Sequence, residues 1–175
     1  LIKSSYYDLK LIVSSTHLDS NFGNTIKEIE NDGIVPNYLL PIEIDPFREN
    51  DMNFQTAETI KGVTIALEKF KSRYLVILGD RYESFAAAIA ANLMRIDIIH
   101  LHGGETTLGA LDNKLRHSIS QLSNWHFTSA EIHKKKVQTI TNTTKNIYNI
   151  GPMVIDGILN LSRISVKEFE SRTGF

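Results

Sequence analysis

The stretch YLVILGDRYESFAAAIAANLM, residues 74–94, decides the fold class. Residues 74–80 open with a continuous apolar run, which is typical of a short strand buried on both faces. The alanine-rich run that follows, residues 82–94, has the length of a helix and side chains small enough to pack closely on a sheet. A strand buried on both faces needs helices above and below it, so this stretch predicts a parallel sheet in an α/β domain.

The same alternation extends along the chain in both directions. Further strands are predicted at residues 9–15, 96–102, 125–130 and 146–151, and further helices at residues 25–32, 53–72, 112–123 and 131–140, before a C-terminal helical stretch. Two prolines make residues 34–42 an edge or irregular strand. Thr25 and Glu28 have the spacing of a capping box. We therefore expect a doubly wound, Rossmann-like parallel sheet, with residues 1–175 in one domain.

Composition limits the classes of function. The 175 residues are 42% hydrophobic and 22% charged, which is ordinary for a globular domain, and the formal net charge is -1. A charge so near zero gives no electrostatic footprint for nucleic acid or for an anionic membrane surface. The absence of cysteine excludes disulfides and thiolate chemistry and fits a reducing compartment. A membrane-spanning helix needs about 20 apolar residues, and no apolar run in the sequence is that long. We therefore expect a cytoplasmic protein with no membrane partner.

Polar clusters follow three of the predicted strands. They are THLDSNFGN (residues 16–24), GDRYE (residues 79–83) and HGGETTLGALD (residues 102–112). In doubly wound sheets, ligands bind in the crevice beyond the carboxyl ends of the strands. All three clusters are predicted at that edge, so we expect the ligand site there.

Several of these side chains also have a purely structural interpretation. Asp80 and Glu83 have the spacing of a capping box for the helix that follows them. His17 can satisfy loop backbone groups, and Asp112 stands where a helix N-cap is expected. His126 alternates with apolar neighbours, which favours a core histidine. Spacing alone leaves the alternatives for Asp80 open.

The stretch IIHLHGGETTLGALDNKLRHSI, residues 98–119, favours a site most strongly. Arg116 and His117 fall in the first turns of a predicted helix, where the helix dipole disfavours cations. A cation placed there beside exposed backbone N–H groups concentrates positive potential, which suits phosphate or a developing anion. Glu105 lies in a loop with no helix to cap. Acids beside an arginine that stabilises anions are a plausible catalytic set. The sequence has neither a Walker A nor a GxGxxG pattern, so ATPase and NAD chemistry are not supported.

The chain resembles the hydrolysing UDP-N-acetylglucosamine 2-epimerases of sialic-acid biosynthesis and their bacterial relatives. The segments that carry the resemblance are residues 15–33 (STHLDSNFGNTIKEIENDG), 75–91 (LVILGDRYESFAAAIAA), 98–127 (IIHLHGGETTLGALDNKLRHSISQLSNWHF) and 147–158 (IYNIGPMVIDGI). The resemblance implies a two-domain, glycosyltransferase-B-like fold with its site in the cleft. It also implies elimination of UDP from UDP-N-acetylglucosamine and addition of water to give N-acetylmannosamine, without a metal or other cofactor.

The resemblance also implies roles for nine residues. As catalytic residues it implies Asp80, Glu105 and Asp112. As substrate-binding residues it implies His17, Arg81, Glu83, His102, Arg116 and His117. His102 departs from the pattern, because some members carry a further carboxylate there. For the full-length protein we expect a UDP-acetamido sugar as ligand, no nucleic-acid partner and a homo-oligomer.

Family members begin with an additional strand and continue into a second domain. We therefore expect this chain to be the N-terminal domain without its first strand, and to be inactive alone. Three alternatives stay open: an epimerase acting on a diacetamido UDP-sugar, a glycosyltransferase of the same fold, and a non-catalytic module that binds nucleotide sugars. Their products distinguish them, because only the epimerases release UDP and a free acetamido sugar without an acceptor.

Overall fold

A computed structural model describes residues 5–106, 111–159 and 165–174. Its strands, all paired in parallel, are β1 (Ile12–Ser14), β2 (Tyr38–Leu40), β3 (Tyr74–Leu78), β4 (Asp97–Leu101), β5 (Trp125–Thr128) and β6 (Ile147–Asn149). Its helices are α1 (Ile26–Asn31), α2 (Asp51–Phe70), α3 (Tyr82–Leu93), α4 (Leu111–Leu122), α5 (Glu131–Thr141), α6 (Val154–Leu159) and α7 (Val166–Thr173). The prediction of an α/β domain with parallel sheets is confirmed.

The strands form two ladders in the part of the chain that is described. One has the order β3-β4-β5-β6, and the other joins β1 to β2. β3 is an edge strand of the larger ladder, and Val76 and Leu78, on one of its faces, are 39% and 59% exposed. The prediction that β3 is buried on both faces is therefore wrong for these side chains. The carboxyl ends of β3, β4 and β5 lie along one edge of the larger ladder, as the parallel register requires.

The core lies between this sheet and the helices that cover it. Ala86, Ala88 and Ala91 of α3 are fully buried, and their small side chains let α3 pack against both α2 and α4. Gly62 lets α2 approach β2 closely, because a Cβ there would overlap the side chain of Leu40. No helix in the described ranges is long and apolar enough to cross a membrane.

The structure resolves the interpretations of local spacing. Thr25 is the N-cap of α1, but its side chain makes no capping bond, so the predicted capping box is wrong. Arg81, not Asp80, is the N-cap of α3, and the Arg81 side chain makes no capping bond. Asp112 lies inside α4, which begins at Leu111, so the N-cap interpretation is also wrong. His126 is 2% exposed on β5, which confirms it as a core histidine.

Candidate active site

Side chains from three separate segments meet beyond the carboxyl ends of β3 and β4. The Arg116 guanidinium, on α4, is paired through Nη2 with Asp80 Oδ2. Through Nη1 it donates to Glu105 Oε2 at 3.2 Å. Arg116 is only 8% exposed, so both ion pairs are shielded from water. We call Asp80, Glu105 and Arg116 the acid–arginine cluster; 36 residues of sequence separate its first and last members.

The glycines after β4 bring Glu105 into this cluster. Gly104 has a φ of +81°, a left-handed conformation that side chains with a Cβ rarely adopt. A Cβ there would also overlap the carbonyl oxygen of His133 on α5. The chain can therefore turn this tightly against α5 only with glycine at this position.

Glu105 has two partners in addition to Arg116. Its Oε1 atom accepts a hydrogen bond from Ser129 Oγ at 2.5 Å and lies 2.9 Å from His102 Nδ1. Burial alone would raise the pKa of Glu105, but the hydrogen bond from Ser129 and the electrostatic interactions with His102 and Arg116 outweigh it and lower the pKa below its usual value. Glu105 is thus an ionised acceptor at neutral pH. Sequence reasoning missed Ser129, although it directly follows β5, and the rule of carboxyl ends could have identified it.

His102 is held in a strained conformation beside Glu105. Its φ of +62° is left-handed, which costs a residue other than glycine on the order of 1 kcal/mol or more. Its backbone N–H donates to the Phe127 carbonyl at 2.8 Å, so β5 helps to hold the strain. With Nδ1 on Glu105, the buried Nε2 atom has no hydrogen-bond partner among the described residues.

Several buried polar atoms of Arg116 and of residues next to the cluster have no hydrogen-bond partner in the described structure. Besides His102 Nε2, they include Arg116 Nε and His117 Nδ1, judged over the described ranges. Burial, followed by the charges of Lys136 and Arg116, lowers the pKa of His117, so its ring is neutral at pH 7. Buried groups without hydrogen bonds cost free energy, which a polar ligand bound here could recover.

Other residues implied by the resemblance lie outside the cluster. Arg81 is 58% exposed in its side chain and forms a two-bond pair with Glu83, at 3.0 and 2.8 Å. Burial would raise the pKa of Glu83, but the pair with Arg81 and local backbone bonding lower it. His17 is exposed, and its Nδ1 lies 2.6 Å from Thr25 Oγ1, so it contacts a side chain and not the loop backbone.

Asp112 is exposed in the first turn of α4, and its side chain makes no hydrogen bond or ion pair within the described part of the chain. Its negative charge is favourable at that end of the helix dipole. The segment before it, residues 107–110 of the predicted site loop, lies outside the described residues. In residues 5–106, 111–159 and 165–174, no three His, Asp or Glu side chains are grouped so that they could hold a metal ion.

The sequences most informative for this site belong to hydrolysing epimerases. The chain is 36% identical over 166 residues to GDP/UDP-N,N'-diacetylbacillosamine 2-epimerase (hydrolyzing) of Campylobacter jejuni, covering 93% of this chain and 42% of that protein. It is 33% identical over 175 residues to UDP-N,N'-diacetylbacillosamine 2-epimerase (hydrolyzing) of Legionella pneumophila, covering 100% and 46%. The chain thus spans less than half the length of these relatives.

Solved structures share the fold. Neisseria meningitidis UDP-GlcNAc 2-epimerase bound to UDP-GlcNAc superposes with a TM-score of 0.83 at 24% identity, covering 100% of this chain and 47% of that one. The Methanocaldococcus jannaschii enzyme in complex with UDP-GlcNAc and UDP gives 0.79 at 21% identity, covering 98% and 47%. The described fold is therefore about half of a glycosyltransferase-B-like architecture. The family model for UDP-N-acetylglucosamine 2-epimerase matches residues 1–174, and the chain belongs to that family.

Proposed function

We propose that the full-length protein is a hydrolysing 2-epimerase of UDP-acetamido sugars, and that this chain supplies the proton-transfer side of its active site. The observation that carries the proposal is the acid–arginine cluster, in which a buried guanidinium holds two carboxylates beyond the carboxyl ends of β3 and β4. Membership of the epimerase family supports it. The chain's relatives are about twice its length, so the complete site includes residues outside this chain.

The proposed reaction needs groups that take up and return a proton. A base removes the proton from C2, the electron pair forms a double bond to C1, and the C1–O bond to UDP breaks. Water then adds to C1 while a proton returns to C2 on the opposite face. Asp80 and Glu105 fit the proton transfers because both are held in place by Arg116. Asp112 is the third proposed acid, acting from the exposed start of α4.

The substrate-binding roles proposed for the remaining residues follow from their positions. Arg116 Nε and His117 Nδ1 are buried and unpartnered in the described structure, and both suit an anionic group of the nucleotide sugar. His102 Nε2 can contact a polar group of the sugar. Arg81, paired with Glu83, and the exposed His17 complete the proposed binding set.

Two substrates fit the proposal. UDP-N-acetylglucosamine would give N-acetylmannosamine, a precursor for sialic-acid-type sugars in the cytoplasm. UDP-N,N'-diacetylbacillosamine is favoured by the identities of 36% and 33% to epimerases named for that sugar, against 28% to UDP-N-acetylglucosamine 2-epimerase of Neisseria meningitidis. A homo-oligomer is also proposed, and light scattering of the full-length protein would test it.

The decisive experiment incubates the full-length protein with each UDP-sugar in D2O. The expected result is release of UDP, together with a free acetamido sugar that carries deuterium at C2. Nucleotide-sugar binding without UDP release would instead indicate a non-catalytic module. UDP release only with an added acceptor, which becomes glycosylated, would indicate a glycosyltransferase.

A further inference from the structure

His100 is a buried histidine that the proposed chemistry leaves without a role. It lies on β4, fully buried, with both ring nitrogens in hydrogen bonds. Nε2 lies 2.8 Å from the carbonyl oxygen of Gly79, the residue before Asp80. Nδ1 lies 3.1 Å from Ser120 Oγ, and that hydroxyl lies 3.1 Å from the carbonyl oxygen of Arg116. Because Gly79 precedes Asp80 and Ser120 lies one turn after Arg116 on α4, one imidazole connects the end of β3 to the helix that carries Arg116.

The chemistry of its partners fixes the tautomer of His100. A carbonyl oxygen only accepts, so Nε2 carries the hydrogen and donates it to Gly79. Burial lowers the pKa of His100 to about 4, so the ring is neutral at pH 7 and Nδ1 is an acceptor. The single hydrogen of the Ser120 hydroxyl is then directed to Nδ1, so the nearby carbonyl oxygen of Arg116 receives no separate hydrogen bond from it. The result is an oriented polar bridge between the end of β3 and α4.

The space for this bridge depends on Gly103. A Cβ on Gly103 would lie 3.0 Å from His100 Nδ1 and 3.0 Å from Ser120 Oγ, tighter than ordinary van der Waals contact. The first glycine of the GG pair therefore leaves room for the His100–Ser120 hydrogen bond. An alanine there would push the ring and the hydroxyl apart.

We propose that His100 is a positioning residue, which holds Asp80 and Arg116 in the mutual geometry that the reaction needs. The proposal rests on the proposed epimerase function. Asp80 and Arg116 come from different elements, and a small relative shift of β3 and α4 would misalign their ion pair. Misplacement of a reacting group by about 1 Å can cost about 100-fold in rate, so a buried bridge far from the substrate can control turnover.

His126 provides a matched control. It is the register partner of His100 on β5, is 2% exposed, and has a pKa that burial lowers to about 4. Its ring bonds the backbone at Ser123, and its Nδ1 has no partner in the described ranges. It therefore shares the burial and charge state of His100 but does not contact the backbone of the cluster.

The test compares His100→Leu, His100→Gln and His126→Leu in the full-length protein, assayed by UDP release. We expect His100→Leu to lower kcat about 100-fold with KM changed less than about 3-fold, because it disturbs alignment and not binding. His100→Gln, which can still donate to Gly79, should recover about 10-fold of that loss. His126→Leu should lower the melting temperature but leave kcat within about 3-fold of wild type. Equal losses of kcat at both histidines would overturn the proposal.

Two further measurements test the bridge even if the His100 variants do not fold or the protein is not an epimerase. Ser120→Ala and Gly103→Ala are smaller changes to the same bridge, and wild-type kcat in both would overturn it. The ¹⁵N chemical shifts of histidine in wild-type protein report the tautomer without any turnover. Nε2–H with an acceptor Nδ1 supports the bridge, and Nδ1–H overturns it. If wild type releases no UDP from either sugar, the epimerase proposal fails, while the shifts still decide whether the bridge exists.

Discussion

The acid–arginine cluster and the exposed residues His17, Arg81 and Asp112, which we call the rim, have opposite environments. The cluster is shielded and interlocked, with Arg116 bound to two carboxylates at once. The rim side chains are exposed, and two of them contact only near neighbours in sequence. The cluster geometry is therefore set by folding, whereas the rim can be ordered by a ligand. Charge pairs about 4 Å apart interact several times more strongly near protein than in water, which reinforces the difference.

Removing Arg116 should have the largest effect. Arg116→Ala leaves the partly buried carboxylates of Asp80 and Glu105 without the cation that they share, which we expect to cost about 3 kcal/mol of unfolding free energy. Turnover should fall about 1,000-fold, the upper range for loss of a preorganised charged group. Arg116→Lys keeps the charge without the planar fork and should recover part of both losses. Urea unfolding and UDP release measure the two effects, and a stable, active Arg116→Ala protein would place Arg116 outside the site.

The next largest effects are expected from substitutions of the carboxylates, which compare the cluster with the rim directly. Asp80→Asn, Glu105→Gln and Asp112→Asn should each lower turnover about 100-fold, the scale of a lost general acid or base. Stability should separate them. Glu105→Gln should destabilise by about 1–2 kcal/mol because Arg116 and Ser129 lose a charged partner, whereas exposed Asp112→Asn should stay within about 0.5 kcal/mol. Wild-type turnover in Asp112→Asn would confine catalysis to the cluster.

Periodicity and the position of polar clusters were enough to predict the strands and the sheet edge at which the acid–arginine cluster lies. They were not enough for contacts between distant side chains. The spacing of Asp80 and Glu83 fits a capping box, but Arg116, 36 residues away, binds Asp80 instead. Thr25 likewise bonds His17 and does not cap its helix. Such partners depend on where separate elements pack, and local spacing carries no information about that.

Acid should destabilise the sheet before it affects the cluster. The pKa of His100 and of His126 is lowered to about 4 by burial, while an unfolded histidine titrates near about 6.5. As the pH falls, the unfolded chain takes up these protons before the folded protein does. The free energy of unfolding therefore keeps its full value above about pH 6.5 and decreases toward pH 4, by up to about 1.4 kcal/mol per pH unit for each histidine. Glu105, with its lowered pKa, contributes above the ordinary carboxyl value of 4.5, and that contribution is lost only below it.

Urea unfolding of wild type, His126→Asn and Glu105→Gln at several pH values separates these contributions. His126→Asn should flatten the dependence between pH 6.5 and 4, because one of the two buried imidazoles is gone. Glu105→Gln should change it only at lower pH. A flat wild-type profile between pH 6.5 and 5 would show that the two histidines are protonated as easily in the folded protein as in the unfolded chain.

The smallest effect is expected at the rim, in Arg81→Ala. The exposed pair with Glu83 contributes about 0–1 kcal/mol, so stability should hardly change. Arg81 lies at the start of α3, next to Asp80. Its guanidinium is bonded to Glu83 and must break those bonds to contact an anionic ligand. We therefore expect KM for the UDP-sugar to rise about 3- to 10-fold with kcat nearly unchanged, the signature of lost uniform binding. Glu83→Gln, which frees Arg81, should lower KM if ligand and Glu83 compete for it. A fall in kcat as large as that of Glu105→Gln would instead make Arg81 part of the cluster and erase the distinction between the two regions.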